Sequence, residues 1–236
     1  SGLAPWKSEY EWEDLKDLKQ IQMYLHSAGV KVDTHGMRIT CHPGPFNVLT
    51  SPHEHVVDNC VVDLTMHGET FDMMSLTRTP FNKINIHIGG AYGDKETSME
   101  RFCKNFERLP ESVQTRMTVE NDDKASMYSV KDLMYIHENI GIPIVFDYHH
   151  HKFCTGDLSE EEALKLAVST WPKDMVPVVH YSESKALHES NDKLKPQAHS
   201  DYINEIPNTY GLNVDIMIEA KAKENSILPF INVRNI

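Results

Sequence analysis

The sequence predicts an α/β protein of the (β/α)8 TIM-barrel type, partial, with about six of the eight β/α units present in this chain. Three observations carry that prediction. Six short apolar runs each stop on a histidine or a carboxylate: Met37 to Cys41 before His42, Lys83 to Ile86 before His87, Thr115 to Val119 before Glu120, Ile142 to Phe146 before Asp147, Val176 to Val179 before His180, and Val214 to Ile218 before Glu219. Segments of helical periodicity fall between these runs, and alternation of this kind builds parallel sheets and barrels. The length, 236 residues, suits one domain, since barrels of about 250 residues fold as a single unit.

The elements follow in order. Ser8-x-x-Glu11 has the capping-box pattern and opens a helix with Trp12, Leu15, Leu18 and Leu25 on one face, closed by Gly29. After the Met37 strand, Ser51-Pro52 starts a second helix carrying Val57, Val61 and Leu64 at helical spacing. Met99, Phe102, Cys103 and Phe106 mark a third, and Val130, Leu133, Ile136 and His137 a fourth that ends before Gly141-Ile142-Pro143. Leu158 to Val168 forms a fifth. Residues 183 to 198 are polar and aperiodic and read as a long, mobile loop. A closed barrel needs eight strands, and the chain ends soon after the sixth run. Residues 1–236 are therefore expected to be a single barrel domain lacking one to two amino-terminal strands, completed by a missing segment or a second chain.

Composition sets bounds. The chain is 40% apolar and 25% charged, as in a globular protein with a substantial core. No stretch approaches the roughly 18 consecutive apolar residues of a membrane span, so no membrane partner is expected. Cys41, Cys60, Cys103 and Cys154 show no C-x-x-C spacing, which leaves neither a zinc knuckle nor a disulfide framework and favours an intracellular compartment, cytoplasm, nucleoid or nucleus. The net charge of −12 speaks against a nucleic-acid partner taken alone. Acids gathered at divalent cations weaken that objection, because each ion reverses the sign of its site.

The strand ends carry the chemistry. At the carboxyl ends of barrel strands the side chains converge on the active site, and histidine with Asp or Glu is a donor set that divalent metals take. His42, His87, Glu120, Asp147, His180 and Glu219 share that position. His26, His53, His55, His137 and His188 fall on helices or loops and read as solvated. In Asp147-Tyr-His-His150-His151 the imidazoles can serve a neighbouring ion, or one or two of the three lie in a solvated loop. Glu120 has two oxygens and can bridge two cations; Asp122 and Asp123 read as caps of the structure that follows, a role open to Asn121 as an alternative. The loop from His87 through Gly89-Gly90 and Tyr92 to Lys95 is glycine-rich, lets backbone approach a ligand, and offers Lys95 to a phosphate.

At this point a resemblance is visible. His42-Pro-Gly44, His87-x-Gly-Gly-x-Tyr92-Gly-Asp-Lys95, Glu120-Asn-Asp-Asp123, Phe146-Asp147-Tyr-His-His150, Thr170-Trp171, His180-Tyr-Ser182, His199-Ser-Asp-Tyr-Ile203 and Glu219-Ala-Lys221-Ala-Lys-Glu224 occur in this order. Together they resemble the UV damage endonuclease family, DNA-repair enzymes related to endonuclease IV. The resemblance implies two to three divalent ions, Mn2+ in preference to Zn2+ or Mg2+, and nicking of damaged double-stranded DNA immediately 5′ to pyrimidine dimers or 6–4 photoproducts. It implies one ion on His42, His87 and Glu120, a second on Glu120, Asp147, His180 and Glu219, and a third using His150 and His199. Glu120, Asp147, His180 and Glu219 are thereby the expected catalytic set, with Pro45, Phe46, Tyr92, Lys95 and Lys221 toward DNA.

Three departures bear on this. Pro45-Phe46 stands where the family has Gln followed by an aromatic residue that probes the lesion. The amide is lost and the apolar wedge kept. Val178 stands where the family commonly has Lys, two residues before the His180 position. The family's first two strands precede the position of Ser1, and Ser1 to Pro5 resembles the end of the second. The alternatives are an endonuclease IV-like enzyme acting on abasic sites and a non-cleaving lesion-binding protein on the same scaffold. A sugar isomerase fits less well, because its site is carboxylate-rich whereas this one is rich in histidine.

Overall fold

The computed structural model describes residues 11–231, in two compact units that meet in sequence between Val119 and Glu120. The Ser8 cap and the strand end at Ser1 to Pro5 lie outside the described residues.

In the first unit a single 3-10 turn, Trp12–Asp14, precedes helix α1, Leu18–Thr34. The helix therefore starts later than the capping pattern suggests and runs through Gly29 instead of stopping there. Gly29 is buried, and a Cβ on it would lie 1.7 Å from the Met74 carbonyl oxygen, at the end of the next helix. The glycine allows two helices to approach, and the sequence alone reads it as a stop.

The run Met37 to Cys41 is not a strand. Cys41 forms an isolated parallel β-bridge to Ile84, with its N–H on the Lys83 carbonyl at 3.0 Å and its own carbonyl receiving the Asn85 N–H at 2.9 Å. Upstream, the Ile39 N–H goes to the Asn82 side chain at 3.1 Å. A side chain there takes a donor that a ladder would need.

Helix α2, Glu54–Met73, buries Val57, Cys60, Leu64, Gly68 and Phe71 along one stripe. Strand β1, Ile84–Ile86, leads through the glycine loop to α3, Lys95–Phe106, whose first turn is capped by Asp94 accepting the Thr97 N–H. A short α4, Glu111–Gln114, precedes β2, Met117–Glu120, which lies parallel to β1 with Ile84 opposite Met117 and Ile86 opposite Val119. Arg116, fully buried, donates to the carbonyls of Gly68, Leu76, Thr77 and Ser112 and to Asp72. One guanidinium thus satisfies the end of α2 and the loop after it.

In the second unit, α5, Val130–Ile140, opens on a Ser129/Asp132 capping box and closes on Gly141, whose φ of 76° is the left-handed cap that glycine favours. Strand β3, Ile144–Asp147, turns into the single-turn α6, Tyr148–His151. Helix α7, Glu160–Ser169, leads to β4, Val178–Tyr181, then to α8, Lys185–His188, to β5, Asp215–Ile218, and to α9, Leu228–Ile231. Strands β3, β4 and β5 pair in parallel, with Phe146 opposite Val179, Asp147 opposite His180, and His180 opposite Met217.

Val178, one pleat below His180, packs with Val145, Trp171, Met175 and Met217, and the Trp171 indole N–H donates to the Ile144 carbonyl at 2.8 Å. Residues 183 to 198 are a folded strap rather than an open loop. Glu183 accepts the Tyr181 hydroxyl at 3.0 Å and the Asn204 N–H at 2.8 Å and pairs with His188, while Ser184 bridges to His199. Polarity concealed this, because the strap is held by hydrogen bonds and has no apolar period to read.

Candidate metal centre

Strand pleating explains the centre in the second unit. Asp147, the last residue of β3, lies opposite His180, the last but one of β4, and Glu219 follows β5 with its N–H on the Tyr181 carbonyl at 2.9 Å. Glu120 ends β2. Glu120, Asp147 and His180 are fully buried, and Glu219 is partly open. One donor atom from each of the four lies within 4.8 Å of the others.

The contacts inside the cluster identify its chemistry. His180 Nδ1 is 3.0 Å from Glu120 Oε2 and 2.9 Å from Glu219 Oε1. A ring nitrogen carries at most one proton, so it can donate to only one of those carboxylates. Asp147 Oδ2 is buried with no hydrogen-bond partner. An orphaned carboxylate oxygen and a nitrogen facing two carboxylates are costly as they stand and fit a divalent cation among them.

The protonation pattern agrees. Burial pushes the Asp147 carboxyl up to about 6 against the pull of His150 and His180, and burial lifts Asp122 to about 7. Burial works against a charge on His150, yet Glu120 and Asp147 hold its pKa up to about 10. Negative charge gathered in a dry pocket resists ionisation and recruits positive charge, and a bound cation satisfies both.

The supports are as specific as the ligands. The Asn121 side chain accepts the Asp147 N–H at 2.8 Å and donates to the Asp147 carbonyl at 3.1 Å. Asn121 therefore does not cap the following helix, the role the sequence leaves open for it; it clamps the backbone of Asp147. Asp122 does not cap that helix either; it closes a loop by accepting the Tyr128 N–H, and Ser129 is the cap. Nothing in the sequence beyond its place beside Glu120 marks Asn121.

Asp147 Oδ1 accepts the His150 N–H at 2.8 Å, which turns the chain so that His150 Nδ1 lies 3.3 Å from Glu120 Oε1. His149, His150 and His151 are all buried, which removes the solvated-loop reading of the triplet, because the Asp147-capped turn folds it inward. Burial takes His149 down to about 4. The His199 ring is 5.8 Å from that of His150, with its Nδ1 3.1 Å from the Glu219 carbonyl oxygen. His188 is partly buried against Glu183, and His137 binds the Ile142 carbonyl at 3.0 Å, so neither is simply solvated. His26, His53 and His55 are exposed.

In the first unit the rings of His42 and His87 lie 5.4 Å apart. Pro45 and Phe46 are exposed on the loop after His42, Phe46 by 68%. Tyr92 is exposed at a positive φ of 47°, with the Arg101 guanidinium 5.7 Å from its ring centroid. Lys95, half-buried, is the first residue of α3. In the second unit Lys221 is exposed, and its N–H donates to the Ser200 carbonyl at 3.1 Å. Among the described residues no helix is long and apolar enough to cross a membrane.

Comparison with known proteins adds to this geometry. A family model described as UV-endonuclease UvdE matches residues 3–235. A UV DNA damage endonuclease of Bacillus cereus (strain Q1) is 36% identical over 213 residues, covering 86% of this chain and 64% of its own length. One of Bacillus mycoides (strain KBAB4) is 36% identical over 214 residues with the same coverage. The chain thus spans under two thirds of these curated relatives.

Among solved structures, SacUVDE superposes with a TM-score of 0.80 at 34% identity, covering 96% of this chain and 73% of the other. An AP endonuclease, family 2, from Brucella melitensis gives 0.56 at 14% identity, covering 89% and 84%, a likeness of fold alone. The fold class is α/β of the partial-barrel type, with five parallel strands among the described residues.

Proposed function

The chain belongs to the UV-endonuclease UvdE family, and from that premise we propose that it is a metal-dependent DNA-repair endonuclease that nicks damaged duplex DNA 5′ to pyrimidine dimers and 6–4 photoproducts. The observation that carries the reading is the convergence of Glu120, Asp147, His180 and Glu219, one donor atom each within 4.8 Å. These four would hold one divalent ion, Mn2+ as the family resemblance implies; their carboxylates suit Mn2+ or Mg2+ and their imidazole suits Zn2+ as well. In the first unit His42 and His87 would serve a second ion, and in the second unit His150 and His199 a third. Divalent ions bound there supply activated water near neutral pH and charge stabilisation for a phosphodiester displacement.

The chain's own residues do the rest. Burial of Glu120, Asp147 and His180 excludes bulk water and strengthens each electrostatic contact. Asn121 fixes the direction of Asp147 through both of its backbone groups. Glu219, the most open of the four, would be the one nearest an incoming phosphate. Lys95 and Lys221 would meet the DNA backbone, Tyr92 a neighbouring sugar or base, and Phe46, held out by its loop beside Pro45, would act as the apolar wedge between stacked bases.

The test is a nicking assay with Mn2+ on three labelled duplexes, carrying a cyclobutane dimer, an abasic site or no lesion. Incision 5′ to the dimer is expected. Preference for the abasic duplex supports an endonuclease IV-like activity. Binding to the dimer without incision supports a non-cleaving lesion-binding protein.

A further inference from the structure

The loop that carries Pro45 and Phe46 leaves both side chains exposed. It stands over a cleft of about 590 Å3, lined among others by His42, Pro43, Phe46, Asn47, Cys60 and Asp63. What holds it is a small set of polar contacts. The Asn47 side chain, itself buried, donates to the Gly44 carbonyl at 3.2 Å and to Asp63 Oδ2 at 2.9 Å. The Cys60 thiol accepts the Val48 N–H at 3.0 Å and donates to the Phe46 carbonyl at 3.4 Å. Asp63 and Cys60 are both on α2, one turn apart.

The far end of the loop is tied separately. Asn105 on α3 donates to the Leu49 carbonyl and Arg101 to the Thr50 carbonyl, each at 2.8 Å. Gly89, at a φ of 111°, lies so close that a Cβ would come within 2.5 Å of Val48 and 2.6 Å of Thr50. Asp63 and Cys60 thus tie the exposed tip to α2. His67, one turn beyond Asp63, sits 3.6 Å from the same Oδ2, and with Asn47 it holds the Asp63 carboxyl below the ordinary range against the effect of burial. The Cys60 thiol is pushed up to about 11 by burial and stays protonated as the donor to Phe46.

We propose that Asp63 and Cys60 on α2 are positioning residues for the Pro45-Phe46 tip, and through it set how sharply the protein separates damaged from intact duplex. The proposal rests on the DNA-repair reading for its second half. Its first half, the clamp, stands on the geometry of the first unit. Neither residue touches DNA; both act through Asn47, Val48 and the Phe46 carbonyl. A wedge on a loosely held loop pays an ordering cost each time it inserts, whereas a clamped one is pre-organised.

The experiment uses the full chain loaded with Mn2+ and compares wild type with Asp63→Ala, Asp63→Asn and Cys60→Ala. Three quantities are read: amide exchange at Asn47 and Val48, manganese bound per chain, and the ratio of Kd for intact over dimer-containing duplex. Asp63→Ala is expected to speed exchange at both amides by about tenfold, the scale of one lost hydrogen bond to a charged group. It should lower the Kd ratio by several-fold with manganese unchanged. Asp63→Asn keeps an acceptor for Asn47 and should recover most of both.

Cys60→Ala is expected to act in the same direction, and it decides the matter if Asp63→Ala does not fold. Wild-type exchange in the alanine variants, or faster exchange with an unaltered Kd ratio, overturns the proposal. If the wild-type protein does not separate the two duplexes, the repair reading fails, and the exchange rates alone then decide the clamp.

Discussion

The Asn121 side chain holds Asp147 by both of its backbone groups, accepting its N–H at 2.8 Å and donating to its carbonyl at 3.1 Å. Both residues are fully buried. A buried pair of this kind fixes the backbone that carries the Asp147 carboxylate. Asn121→Leu strips two buried backbone groups of their partners, at about 1–3 kcal/mol for each. The expected outcome is a protein less stable by about 2–4 kcal/mol in urea titration, with weaker manganese binding. A stability within about 0.5 kcal/mol of wild type would mean that solvent replaces the clamp.

Glu120→Gln keeps the shape and removes the charge at the centre of the second-unit cluster. Loss of more than one ion per chain and near-complete loss of nicking are expected, read by metal analysis and by the dimer assay. Activity within a few-fold of wild type would show that Glu120 does not bridge ions.

Phe46→Ala removes an exposed ring from the loop after His42. Discrimination between damaged and intact duplex should fall by about 1–3 kcal/mol, the scale of one base–aromatic stack, while metal content stays constant. Pro45→Gln restores the family's amide and should sharpen discrimination. An unaltered Kd ratio in both variants would remove the wedge from the account.

Val178 lies in the apolar cluster with Val145 and Trp171, one pleat below His180. Val178→Lys should alter the manganese stoichiometry without changing lesion preference. It should also cost about 1–3 kcal/mol of stability, because a longer side chain enters a packed site. Unchanged stoichiometry would indicate that this position no longer communicates with the ions.

The positions of the strand ends are legible because strand periodicity shows in the apolar runs. Where those runs stop, Glu120 closes β2, Asp147 closes β3, His180 stands one residue from the end of β4, and Glu219 follows β5. What the sequence concealed has no period. The Met37 run has the apolar pattern of a strand, yet the Asn82 side chain takes the Ile39 N–H, and Cys41 forms an isolated bridge. Gly29 reads as a helix stop because its role, letting α1 approach Met74, is a contact distant in sequence. The burial of His149 and His151 depends on the Asp147 cap, a side-chain to backbone bond that residue spacing does not reveal. The strap at residues 183 to 198 is organised by one carboxylate, Glu183, and polar composition hides such order.

The central claim is that Glu120, Asp147, His180 and Glu219 hold a divalent ion. The most direct test is anomalous diffraction at the manganese edge from crystals grown with Mn2+. The account predicts a peak within coordination distance, about 2.0–2.6 Å, of donor atoms from all four residues, lost in Glu120→Gln. Manganese bound elsewhere, with no peak among these four side chains in the wild-type protein, would contradict it.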